Sequence, residues 1–94
     1  MKKVKIIAED NIGRTEHICL VLKENIVDEL MAAYNHKTPE GMPDSLLSGR
    51  LSELYDNYNY GYREISYSQF RKLRNFYDLI YNKFYNYKLH ITMA

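Results

Sequence analysis

Ninety-four residues, 46% apolar and 27% charged, describe one globular domain rather than a disordered chain. A formal net charge of +1 excludes both an acidic mimic of nucleic acid and a polycation. The lone cysteine, Cys19, excludes an intramolecular disulfide framework and a four-cysteine zinc site, and fits a reducing compartment.

The opening KVKIIAE (3–9) alternates, with Val4, Ile6 and Ala8 on one face and Lys3, Lys5 and Ile7 on the other, and reads as a strand. Its basic start is that of a signal peptide, but the apolar stretch is broken by Lys5 and ends at Ala8, too short for one. No run approaches the ~18 continuous apolar residues of a membrane span. The expectation is a cytosolic protein without a membrane partner.

DNIGR (10–14) is turn chemistry, since Asp and Asn tolerate tight backbone geometry and Gly13 can take positive φ. TEHICLVLK (15–23) is a second strand, and the two form a hairpin. From Ile18 to Leu22 it is apolar on both faces, the composition of a central strand covered on both sides or of one reinforced by a partner.

ENIVDELMAAYNH (24–36) changes to a helical period, with Ile26, Leu30 and Tyr34 on one stripe and Asn25 and Asp28 placed as a capping box. KTPEGMPD (37–44) holds both prolines and reads as a loop. Asp44 or Ser45 can cap a second helix to about residue 57, with Leu47, Leu51, Leu54 and Tyr58 on its buried stripe. Gly61 breaks the pattern, leaving room for a short strand around 62–65. Ser66 and Gln69 then match a capping box, Ile65 and Phe70 a hydrophobic staple, and a helix is expected from Tyr67 to about Asn86. YKLHITM (87–93) alternates as a closing strand.

The order ββαααβ predicts a single α+β domain over residues 1–94. An N-terminal β-hairpin and a C-terminal strand would form a sheet of about three strands, packed by about three helices on one face.

Function is read mainly from the tyrosines, nine of whose ten lie in residues 55–88. On a wheel of the third helix, Phe70, Leu73, Tyr77, Ile80 and Phe84 form a core stripe, with the Tyr77 hydroxyl reaching an edge where it can be satisfied. Tyr81 and Tyr85 fall off that stripe beside Arg71, Arg74 and Lys88. With Tyr58, Tyr60, Tyr62 and Arg63 of the preceding loop they make the candidate partner-binding face, because Tyr and Arg are enriched at interface hot spots. Leu79, bordered by Phe76, lies on a third side, where either a neighbouring helix covers it or it meets a partner, and if it is uncovered a self-complementary contact would give a homodimer.

Residues 1–59 carry seven Lys or Arg against ten Asp or Glu, and residues 60–94 carry six against two. Aromatic and basic residues together also suit single-stranded nucleic acid, the competing partner. His17, Cys19 and His90 are the only grouping that suggests a thiol or metal site, and they lack an orienting carboxylate. No P-loop, dinucleotide fingerprint, H-E-x-x-H or C-x-x-C occurs, so no catalytic residue, metal or cofactor is assigned and no enzyme is expected. The abundance of Lys, Asn, Ile and Tyr is that of an A/T-rich genome. The expectation is a non-enzymatic binding protein that blocks a partner's surface, in its most specific form a phage or mobile-element regulator or inhibitor of a host system.

Overall fold

Strands β1 (Lys2–Asp10) and β2 (Thr15–Leu22) are joined by a turn that the Asp10 side chain organises. In the computed structural model, which describes residues 1–36 and 44–94, Asp10 Oδ1 accepts from the backbone N–H of Ile12 (3.0 Å) and Arg14 (2.8 Å). Its Oδ2 accepts from Arg14 Nε at 2.6 Å. Burial pushes the Asp10 carboxyl up, but these bonds and the Arg14 charge outweigh it and hold the group below its usual range. Gly13 takes φ +84°, a value most side chains avoid, which lets the turn close.

The helices α1 (Glu24–Asn35), α2 (Asp44–Asn59) and α3 (Tyr67–Lys83) follow, and β3 (Tyr87–Met93) returns to the sheet. The sheet order is β2-β1-β3 and both pairings are antiparallel. Register sets Ile6 opposite Ile18 on one side and Ile91 on the other. Val4, Ile6 and Ala8 of β1, Leu20 and Leu22 of β2, and Leu89 and Ile91 of β3 are all buried on the face the helices cover. The α+β domain ββαααβ expected from the pattern is the one observed.

The core joins this face to Ile26, Val27 and Leu30 of α1, Leu47, Leu51 and Leu54 of α2, and the α3 stripe Phe70, Leu73, Tyr77, Ile80 and Phe84. Helix α3 packs against β2, while α2 packs against β3 and α1.

Several local expectations are corrected. The apolar stretch Ile18–Leu22 belongs to an edge strand, and β1 with Lys3, Lys5 and Glu9 is the central one. An antiparallel sheet can leave one face wet, so outward lysines do not exclude a strand from the middle. Helix α1 begins at Glu24 after Lys23, with no side-chain cap, so the Asn25–Asp28 box does not form. Glu24 instead places a carboxylate in the first turn, where the helix dipole favours it, and pairs with Lys2 at 3.0 Å.

Ser66 is the N-cap residue of α3, but its hydroxyl bonds Ser68 rather than the helix backbone. Gln69 leaves the proposed box to accept the N–H of Val21 at 2.8 Å. That donor lies on the sheet edge, and burying it unpaired would cost more than an exposed cap is worth. Helix α3 ends at Lys83, not Asn86, because Phe84 is extended at φ −107°, ψ 137° and leads into β3, which therefore claims Tyr87. Among the described residues none of 62–65 is a strand. Residues 37–43 of the expected 37–44 loop lie outside those described.

Arg50 ties three segments together. Its guanidinium is bidentate to Glu64 (2.7 and 3.1 Å), forks onto Glu29 of α1 (2.6 and 2.8 Å) and reaches Glu53 at 3.1 Å. The side chains of Arg50 and Glu64 are only 16% and 15% exposed. These bonds hold the Glu64 carboxyl below its ordinary range, against an opposing push from burial. A depressed folded-state pKa means that the unfolded chain binds the proton more readily, so this contribution is complete above the unfolded value near ~4.3 and disappears as pH falls through the folded value.

Arg50→Ala is expected to cost about 1–2 kcal/mol, mostly from the Glu64 arm, since solvent screens the half-exposed Glu29 and Glu53. Urea melts at neutral and acid pH should show Glu64→Gln less stable than the wild type at pH 7, with the gap closing in acid. A gap independent of pH would rule out the ionised Glu64–Arg50 pair as its source.

Candidate functional site

The β-sheet does not assemble the His17, Cys19 and His90 grouping. His17 and His90 both pair with Ile7, from opposite sides, and so lie about two strand spacings (~10 Å) apart across β1. His90 Nδ1 is hydrogen-bonded to the Tyr34 hydroxyl at 2.8 Å, with the rings edge to face at 5.9 Å. Cys19 sits opposite Lys5. Among the described residues no three His, Cys, Asp or Glu side chains are placed to hold a metal ion.

The tyrosines instead build the seam between α2 and α3. Tyr58 stacks on Phe70 with centroids 4.2 Å apart and an angle of 11°, and Tyr55 lies on the same ring at 5.1 Å and 23°. Tyr55 also meets Tyr77 edge to face at 5.7 Å. Arg63 covers the outer face of this set, 4.8 Å from the Tyr58 centroid, and Arg74 lies 5.9 Å from that of Phe70. Rings offset or crossed at these distances add to simple burial, and so do guanidinium groups over their faces.

The turn after α2 fixes the outermost residues. Gly61 takes φ +93°, its N–H donates to the Tyr58 carbonyl at 3.1 Å, and the Tyr62 N–H donates to the Asn57 carbonyl at 2.9 Å. This is a Schellman helix ending, in which a left-handed glycine satisfies the last carbonyls. It projects Tyr60, which is 87% exposed, and Tyr62 into solvent on a hydrogen-bonded turn beside Arg63.

From Tyr67 the outer stripe of α3 runs through Arg71, the half-buried Arg74, Asp78 and Tyr81, at alternating helical spacings of three and four. Tyr67 was not singled out from the sequence, although its i, i+4, i+7 relation to Arg71 and Arg74 was there to be read. Tyr81 is 72% exposed and closes a groove of about 200 Å³ with Ser52, Tyr55, Asp56, Tyr77 and Asp78.

The candidate residues therefore do not form one face. Tyr58, Tyr60, Tyr62, Arg63, Arg71, Arg74 and Tyr81 share the α2–α3 side. Tyr85, 91% exposed, lies beyond the other end of α3 with Asn11, Ile12 and Arg14 of the hairpin turn. The turn bearing Tyr60 and Tyr62 and the position of Tyr85 thus lie at opposite ends of a seventeen-residue helix about 25 Å long, with Tyr81 in its last turn. Lys88 belongs to β3, opposite Glu9 on the outer face of the sheet. Tyr85 was placed by extending the helix to residue 86, and the helix stops earlier; Lys88 was placed by continuing the helical wheel into a segment that reads as strand. Of the pair that would self-associate if uncovered, Phe76 is 4% exposed and part of the core, while Leu79 is 43% exposed.

Tyr77 packs in the core as its stripe requires, but its hydroxyl is buried and makes no well-formed hydrogen bond among the described residues, with Ser52 the polar side chain beside it, which corrects the expectation of a satisfied edge position. Burial pushes this phenol up to about 12. Comparison of the chain with protein-family models, with curated proteins and with solved structures gives no match, so its chemistry is read from its own geometry.

Tyr77→Phe should leave stability unchanged or raise it by about 1 kcal/mol, because an unpaired buried hydroxyl is removed. Tyr77→Ala should lose about 3–5 kcal/mol as a cavity opens. Tyr85→Ala should stay within about 0.5 kcal/mol. Because the folded-state pKa is raised, the wild type loses stability as pH climbs from about 10 towards 12, and Tyr77→Phe should lack that component. Urea melts at pH 7 and in alkali give all four values, and a Tyr77→Phe variant weaker than wild type at pH 7 would mean that the hydroxyl has a partner.

Proposed function

We propose that this chain is a non-enzymatic binding protein that acts by occupying a surface of another protein. The observation that carries the reading is the α2–α3 end of the molecule. Tyr60 and Tyr62 are displayed on the glycine-ended turn, beside Arg63 and above the Tyr58–Phe70 stack. Rigid aromatic side chains with a polar tip lose little entropy on docking and bury much area, as interface hot spots do. The outer stripe of Tyr67, Arg71, Arg74 and Tyr81 extends this surface along α3.

A protein partner is favoured over nucleic acid by how the basic residues are used. Lys83 is paired with Glu16 at 2.6 Å, and Arg63 and Arg74 lie over aromatic rings. Asp56 and Asp78 line the same side. Phosphate binding needs a run of uncompensated cations, and this side is mixed in charge. In its narrowest form the proposal is a regulator or inhibitor from a phage or mobile element, a version that rests on composition alone. No described helix is long and apolar enough to cross a membrane.

The test is affinity capture from a bacterial lysate with wild-type bait and with a Tyr60→Ala/Tyr62→Ala bait. Wild type should retain a specific protein, and the double variant should recover at least about tenfold less of it while melting within about 0.5 kcal/mol of wild type. Equal recovery by both baits, or no specific protein on wild type, would sink the reading.

A further inference from the structure

Strand β2 has the composition of a central strand and the position of an edge strand, and this mismatch is the best clue to a second surface. Protein edges are ordinarily blunted by lysine, proline, a bulge or a cover. Between Thr15 and Leu22 there is no lysine, no proline and an unbroken register with β1.

The hydrogen-bond parity of this edge follows from two contacts. The Val21 N–H points away from β1, to Gln69, and the Lys3 carbonyl opposite it points away from β2, to the Ala94 N–H at 3.1 Å. Lys3 and Val21 are therefore a non-hydrogen-bonded pair, and so are Lys5 with Cys19 and Ile7 with His17, two and four residues along. The N–H and C=O groups of His17 and Cys19 accordingly face outward, with no ladder partner among the described residues.

Beside this open ladder, β2 and α3 border a shallow, open groove of about 250 Å³ lined by His17, Ile18, Lys72, Asn75, Phe76 and Leu79. Its floor is apolar, and Leu79 within it is 43% exposed. Two fixed contacts bound it lengthwise: Gln69 on Val21 at one end and Lys83 on Glu16 at the other. The interval from Glu16 to Val21 is five residue steps of strand, roughly 17 Å.

We infer that this groove takes an extended segment of another protein, added as a fourth strand to the outer edge of β2. The segment pairs with the backbone of His17 and Cys19 and lays alternate apolar side chains on Ile18, Phe76 and Leu79. It carries an acidic residue towards Lys72, which has no ion pair among the described residues. Strand addition is the binding mode in which main-chain bonds supply affinity and a flanking groove reads alternate side chains. A second copy of this chain fits less well, since a two-fold pairing of β2 with itself brings two uncompensated Lys72 side chains to one seam. This surface is separate from the α2–α3 tyrosines, and either proposal can fail alone.

The test is chemical-shift titration of the labelled protein with end-capped heptapeptides alternating Val or Leu with Glu or Thr. Binding should move the His17 and Cys19 amides and the Leu79 methyls and protect those two amides from exchange. His17→Pro removes one outward donor without touching the pairing to β1, and should weaken binding at least about tenfold in a folded protein. Leu79→Asp, at an exposed site, gives the same reading if the proline variant does not fold. N-methylating the peptide backbone should abolish binding, Glu→Lys in the peptide should weaken it, and Tyr60→Ala/Tyr62→Ala should leave it unchanged. No shift at millimolar peptide, shifts centred elsewhere, or full binding by both His17→Pro and Leu79→Asp would overturn the inference. A wild-type dimer joined through β2 in light scattering and cross-linking would also overturn it, by assigning the edge to a second copy.

Discussion

A three-stranded sheet this small has one face it can bury, and everything else in the molecule follows from covering that face. Val4, Ile6 and Ala8 lie at its centre, flanked by Leu20 and Leu22 on one side and Leu89 and Ile91 on the other, all withdrawn from water. Three helices must then share one side, and each presents a single apolar stripe to it. The opposite face stays wet and keeps Lys3, Lys5 and Glu9 on the middle strand without penalty. A consequence is that neither outer strand is protected by a fourth, and side chains must deal with the edges.

The tyrosines belong to the same economy of size. Helices α2 and α3 meet over a seam too wide for leucine alone, and Tyr55, Tyr58 and Tyr77 fill it with rings stacked or crossed on Phe70 and on one another. A ring of this kind adds buried area at the margin of the core while its hydroxyl can remain in water. Tyr77 is the exception: it lies deep enough that its hydroxyl is orphaned. Outside the seam Tyr60, Tyr62, Tyr67, Tyr81 and Tyr85 stand exposed.

Polar side chains hold the layers in register through contacts distant in sequence. Gln69 reaches the Val21 N–H, Tyr34 reaches His90, and Arg50 gathers Glu29 and Glu64. Each satisfies a group that burial would otherwise leave wanting, which is why they specify the arrangement as much as they stabilise it.

The elements themselves were legible in the sequence, because period is a local property. Alternation at Val4, Ile6 and Ala8, the three- and four-residue spacing from Phe70 to Phe84, and the glycines at 13 and 61 each depend on a few neighbouring residues. The buried stripe of α3, Tyr77 included, was readable for the same reason, as was the exposure of Tyr60, Tyr62, Tyr81 and Tyr85. Strand order was not, since Ile18–Leu22 looks the same whether its second face is covered by a sheet, a helix edge or a partner. Nor was the role of Gln69, which a capping-box spacing assigned to Ser66 and the unpaired Val21 donor, 48 residues away, took instead. The end of α3 at Lys83 was set by where β3 had to begin, and that one turn of helix moved Tyr85 off the face it was expected to share with Arg63, while the pairing of β3 with β1 put Lys88 on the sheet's outer face. Periodicity thus determined which residues are inside. Only the packing of distant segments decided which of those outside stand together, because that depends on contacts no local window contains.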